Sequence, residues 1–345
     1  MRSIPGFLIR LLLGAGIAAL VLWLVDLGEV LASLRGLRPG WVAAALGCYA
    51  ATRVLMAAKW WVLLGGREAP VGFPTVQRAL CLADLYGMML ASSVAIDGFR
   101  AVLMRHLRGG LAAAAGAILV DRVTNVAVMA LLVLAGIGLL HLLRPGAPLA
   151  VPVLLAAGGA ALAMLAACAA VASRRVMELA LAVARTLGGL VLPAPLLEKI
   201  LGTVRQVHGT MSGIFTSSAT VLKAMALGAA VVLARIGVVA ALFAAVGQPQ
   251  PLVLVMALEP IVSVLGDLPI SPMGIGVREG AFVFLFGGAG VPASAAVAVS
   301  LATYGVLIGG TVLLGLVASV AGPALPRPPA DAELPGSAGA RGKTP

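Results

Sequence analysis

The chain has 345 residues, of which 61% are hydrophobic and 11% charged, with a mean hydropathy of +1.10. No soluble domain hides that much apolar surface, and several runs exceed the roughly 20 residues needed to cross a bilayer, so the composition specifies an all-α polytopic membrane protein. The formal net charge of +11 does not point to nucleic acid, because Lys and Arg lie in short segments between apolar runs, the pattern of positive-inside topology and anionic headgroups.

The first apolar run, 7–25, follows Arg2, contains Arg10 and has no small-residue cleavage site before Asp26, so it reads as a retained helix. After a near-neutral connector with Asp26, Glu29, Arg35 and Arg38, residues 41–64 form a second span, with Trp60 and Trp61 at one interface. Arg67 and Arg78 precede, and Arg100, Arg105 and Arg108 follow, a short apolar piece that contains Asp84. If both basic segments are cytoplasmic, residues 80–96 enter and leave on the same side as a re-entrant hairpin. Residues 111–140 cross with tilt, Pro145 and Pro148 mark a turn, and 149–172 cross back.

The segment 173–218 carries Arg174, Arg175, Arg185, Lys199 and Arg205 against Glu178 and Glu198, which places it in the cytoplasm. Its stretches 174–187 and 195–215 mix apolar and basic residues at helical spacing, as interfacial helices or an ordinary connecting pair do. Residues 221–246 and 293–320 complete about six full spans. Between them, 252–290 begins and ends on the outer side, with arms 252–266 and 280–289 flanking a Pro/Gly stretch, which specifies a second, opposed re-entrant hairpin. Residues 1–321 thus form one integral membrane domain. The Pro-rich tail 322–345 reads as disordered and cytoplasmic.

The most informative stretch is 268–279, where two prolines, two glycines, Arg278 and Glu279 interrupt apolar sequence. Broken backbone at membrane depth is tolerated only when buried in protein or lining a wet cavity, so the stretch reads as a binding site. Its Ser271-x-x-x-x-Gly276-x-Arg278 pattern repeats Ser93-x-x-x-x-Gly98-x-Arg100 at the expected tip of the first hairpin. Opposed discontinuous helices are a recurring transporter plan, and their N-termini favour anions. Asp121-Arg122, about ten residues into its span, is a third polar feature. A charge at a helix centre costs roughly 2.5 to 3.5 kcal/mol, so neither side chain faces lipid. Neighbours in a helix point apart, so each needs another partner: Asp97 or Glu279 for Arg122, and Arg100 for Asp121.

At these residues the chain resembles the flippase-like family typified by the membrane domain of bacterial lysylphosphatidylglycerol synthase. The matching segments are Asp97-Gly98-Phe99-Arg100-Ala101, Asp121-Arg122 and Leu268 to Glu279; the family's glycine pair before the first acid is Ala95-Ile96 here. The resemblance implies translocation of an anionic phospholipid or lipid-linked phosphate in a bacterial-type plasma membrane, and the Lys and Arg content of the flanking segments places both termini in the cytoplasm. It also implies that aminoacyl transfer is absent, since no soluble transfer domain follows in this sequence.

The expected site has Arg100, Arg122 and Arg278 as headgroup anchors, Ser271, Gly274 and Gly276 beside them, and Asp97, Asp121 and Glu279 orienting the arginines. A lipid-binding accessory subunit of an envelope-lipid enzyme is the alternative role. An intramembrane enzyme fits less well: His106, His141 and His208 are scattered, the cysteines Cys48, Cys81 and Cys168 stand singly, and there is no nucleophile elbow or P-loop. No metal, cofactor or nucleic-acid partner is expected.

Overall fold

The computed structural model describes residues 26–66, 72–88, 93–104, 110–143, 151–188, 193–268, 271 and 274–321. The expected first span at 7–25 and the Pro-rich tail lie outside these residues. Among them the chain forms α1 (Leu27–Arg35), α2 (Pro39–Leu63), α3 (Phe73–Met88), α4 (Ser93–Met104), α5 (Gly110–Leu143) and α6 (Val151–Ala172). The remaining helices are α7 (Arg174–Gly188), α8 (Ala194–Thr216), α9 (Ser218–Ala245), α10 (Leu252–Asp267), α11 (Val277–Gly287) and α12 (Ala293–Val320). Helix starts follow local chemistry. Asp26 accepts hydrogen bonds from the Gly28 and Glu29 amides at 2.7 and 3.3 Å, and α2 opens on Pro39, where the missing N–H costs nothing.

Five helices, α2, α5, α6, α9 and α12, are long and apolar enough to cross a membrane. They coincide with the five expected spans that fall on described residues. The arms α3, α4, α10 and α11 have 16, 12, 16 and 11 residues. At about 1.5 Å per residue each falls short of the roughly 30 Å hydrocarbon core. The arms pair, α3 on α4 and α10 on α11.

Their details differ from the sequence expectation. Residues 89–92, between α3 and α4, lie outside the described residues, and Ser93–Arg100, expected at a hairpin tip, lies in the first turns of α4. The two copies of the Ser…Gly…Arg pattern therefore fold differently: Gly98 is inside a helix, while Gly276 is an N-cap with φ +85°. A three-residue match fixed neither the helix start nor the register.

Lipid is as apolar as leucine, so close packing rather than hydrophobic transfer holds such helices together. Glycines provide that closeness. A Cβ on Gly136 of α5 would lie 2.7 Å from the Ala257 nitrogen of α10, and one on Gly310 of α12 would overlap the Tyr49 ring of α2. Helix α11 is held by aromatic stacking, with Phe282 and Phe286 centroids 5.3 Å apart and Phe243 of α9 4.8 Å from Phe286.

The pair α7 and α8 covers 173–218 as expected. Helix α8 packs along α5, whereas α7 leaves Val176, Leu179, Val183 and Leu187 exposed. The exposed Arg185 donates two 2.9 Å hydrogen bonds to Glu198. That guanidinium holds the Glu198 carboxyl below the ordinary glutamate range.

Candidate polar site between two helical hairpins

Asp84 on α3 is 5% exposed and lies between two arginines. Its Oδ1 accepts from Arg100 Nη2 of α4 at 2.7 Å and its Oδ2 from Arg53 Nη1 of α2. Arg100 also donates to Asp97 Oδ1 at 3.2 Å, with its guanidinium carbon 5.9 Å from the Trp60 ring centroid. Asp97 continues the chain by accepting from Arg122 Nε and Nη2 at 3.0 and 2.8 Å. Arg122 in turn places Nη1 4.0 Å from Asp267 Oδ2 at the end of α10. The line Arg53, Asp84, Arg100, Asp97, Arg122, Asp267 thus runs from α2 through the first hairpin and α5 to the second hairpin. Ions taken out of water need such partners, since each unpaired one costs several kcal/mol.

Beside this line, Lys59 of α2, 1% exposed, sits 2.8 Å from Asp121 Oδ1 and also donates to the Asp121 carbonyl at 3.2 Å. Arg122 therefore pairs with Asp97, one of its two expected partners. Asp121 does not pair with Arg100, because Lys59 reaches it from the facing helix while Arg100 is already engaged by two carboxylates. Trp60, expected at the membrane interface, is fully buried against Arg100.

The second hairpin turns sharply. The Gly274 amide donates to the Ser271 carbonyl at 3.2 Å. Gly274 has φ +77°, and a Cβ there would collide with the Gly266 carbonyl oxygen, so only glycine fits. Gly276 caps α11, and its amide donates to Glu279 Oε2 at 2.6 Å, while Ser300 Oγ donates to Glu279 Oε1 at 3.3 Å. Glu279 was expected to orient an arginine. It instead closes the start of its own helix, where a carboxylate three residues in satisfies a free amide and the positive dipole end.

Arg278 emerges from this turn next to Gly266 and is 9% exposed. Its guanidinium carbon lies 5.1 Å from the Tyr304 ring centroid and 5.9 Å from that of Phe282. Among the described residues it makes no ion pair or hydrogen bond, and its buried Nε has no acceptor. Ser271 Oγ in the same turn is also buried without a partner. Pro269, Ile270, Pro272 and Met273 of the motif lie outside the described residues.

Sequence reasoning passed over Arg53 and Lys59, and noted Asp84 only as an interruption. It also passed over a further pair in which Arg235 Nε of α9 approaches the fully buried Glu259 Oε1 of α10 at 3.1 Å. The signal that finds all five is the same: a charge inside an apolar helix requires a named partner.

No curated protein and no solved structure matches the chain. The model of one family, described as the lysylphosphatidylglycerol synthase TM region, matches residues 7–315. The charged line across α2 to α5 and the turn at 268–279 both lie within that match. By this coverage the chain belongs to the lysylphosphatidylglycerol synthase transmembrane-region family.

Proposed function

We propose that this membrane protein is a lipid translocase with no catalytic chemistry of its own, moving an anionic phospholipid or lipid-linked phosphate between leaflets. The observation that supports this reading is Arg278, a buried cation with unused N–H donors, in a motif whose Ser271 hydroxyl is also buried and unused. Every N–H of a guanidinium is a donor, and a phosphate is the acceptor its planar fork fits best. Arg122, with a 39% exposed side chain held by Asp97 and near Asp267, offers a second contact on the way into the site. The short hairpins would let a headgroup pass between helix ends while its acyl chains stay in lipid.

Reconstitution into liposomes with labelled anionic phospholipids and polyprenyl-phosphate lipids tests the role. Exchange between leaflets above the protein-free rate is the expected result. Binding without exchange would reduce the protein to a lipid-holding subunit.

We further place it in a bacterial-type plasma membrane with both termini and 173–218 cytoplasmic, on the Lys and Arg content of those segments. On a cysteine-free background, a cysteine at Glu178 is then expected to resist an impermeant thiol reagent added outside, and one at Gln248 to react. The opposite labelling would invert the topology.

A further inference from the structure

We propose that Glu259, paired with Arg235, is a proton-binding site inside the membrane through which a proton gradient drives the α10 and α11 pair. The coupling rests on the translocase role above and supplies its energy source; the proton site itself does not depend on that role.

Arg235 lies ten residues before the end of α9, about 15 Å along the axis and so near the middle of a roughly 30 Å hydrocarbon core. Glu259 meets it from α10 and is fully buried. Among the described residues no ion pair links the two to the charged line, whose own cations have Asp84, Asp97 and Asp267. An ionisable group held at that depth is costly, and acids there are the usual carriers of protons.

The bonding of the pair is incomplete on both sides. Oε1 accepts from the Ser263 hydroxyl and is approached by Arg235 Nε at 3.1 Å, the latter without the alignment of a hydrogen bond. Oε2 is buried without a partner, as are Arg235 Nε and Nη2. Arg122, by contrast, donates two hydrogen bonds to Asp97. A clamp that only joined α9 to α10 would be stronger with both oxygens engaged. The bare Oε2 accepts a proton without displacing any partner. Pro260 follows at once and has no N–H, so the Met256 carbonyl has lost its helical donor and can take the acid's O–H. The Arg235 side chain keeps 21% of its surface exposed, so the pair is not sealed off.

Helix α10 packs against α5, α6, α9 and α11. Their other ionisable groups are engaged elsewhere: Asp121 with Lys59, Arg122 with Asp97, Cys168 with a backbone carbonyl, Glu279 with Gly276 and Ser300, and Arg278 with two rings. Lys223, His141 and, on α10 itself, Asp267 are exposed. Protonation removes the charge that holds Arg235; the proton comes from water and returns to it, and no other bond is made or broken. The contact of α9 with α10 then loosens at Pro260, where the helix bends most easily. Beyond that point α10 carries Gly266, beside Arg278, and Asp267, 4.0 Å from Arg122, so its tilt reaches the candidate site.

The test uses the full chain in liposomes with the labelled anionic phospholipids and polyprenyl-phosphate lipids, an imposed pH gradient and the membrane potential clamped at zero. One pH unit at one proton per lipid limits the leaflet ratio to about tenfold, equivalent to about 1.4 kcal/mol. The ratio is expected to depart from one severalfold, beyond that of protein-free liposomes, and to collapse with a protonophore. Glu259→Gln is expected to leave it at one whatever the exchange rate. The double variant Glu259→Gln with Arg235→Gln, which has no lone buried charge, serves where the single variant folds poorly. In parallel, infrared difference spectra of the detergent-solubilised protein between alkaline and acidic buffer are expected to contain a carboxyl C=O band that both variants lack.

Exchange with equal leaflet populations under the gradient would overturn the coupling and leave translocation standing. A gradient response kept by both variants would overturn the assignment to Glu259. The infrared band without exchange of any lipid would keep the proton site and remove the coupling together with the translocase role. Absence of the band would overturn the proton site whatever the lipids do.

Discussion

Asp84→Ala is expected to give a protein that inserts but does not hold its fold in detergent. Asp84 is the acid shared by Arg53 and Arg100, and Arg53 has no other carboxylate partner among the described residues. Removing one member of a buried pair leaves the other charge uncompensated, at about 3 to 5 kcal/mol. That is a large part of a folding free energy of about 5 to 15 kcal/mol. Arg100 keeps Asp97 in this variant, so most of the loss is assigned to Arg53. The double variant Asp84→Ala with Arg53→Met is therefore expected to recover most of the lost melting temperature, because removing both partners is far milder than removing one. Melting curves and size-exclusion profiles of both variants provide the check. A single variant that melts with the wild type would mean that the carboxylate does not hold the first hairpin.

Arg278→Ala has the opposite signature: leaflet exchange falls to the protein-free rate while the melting temperature stays level or rises. The residue is buried without a counter-charge, so truncating it removes a charge that the empty fold tolerates at a penalty of several kcal/mol. Arg278→Lys is expected to restore little, since an ammonium lacks the bidentate fork. Arg100→Ala serves as the contrast. From sequence the two arginines looked equivalent, but Arg100 is neutralised by Asp84 and Asp97, so its loss acts through folding and should lower the melting temperature along with activity. Wild-type exchange by Arg278→Ala at normal expression would remove the proposed headgroup anchor.

The sequence by itself determined where the long helices lie. Five expected spans coincide with α2, α5, α6, α9 and α12 to within a few residues, because a run of apolar residues that meets the bilayer's thickness is a local property and needs no partner to declare itself. The break in the helix between α10 and α11 was legible for a similar reason. Proline and glycine interrupt helical backbone wherever they occur, and φ +77° at Gly274 admits nothing else.

Only the tertiary structure decided which charges meet. Lys59 and Asp121 stand 62 residues apart, and their pairing depends on how α2 and α5 are rotated about their axes, which close contacts between helices fix and hydropathy does not. The same holds for Asp84 between Arg53 and Arg100, and for Asp97 linking Arg100 to Arg122. Glu279 shows the limit most plainly. Its position three residues after Gly276 was visible in the sequence, but whether it turns to its own helix start or to an arginine was decided by the φ of Gly276 and the arrival of Ser300 from α12. With Glu279 engaged there, Arg278 is left, among the described residues, as a buried cation without an ion pair, a property that belongs to no residue alone but to the positions of all its neighbours.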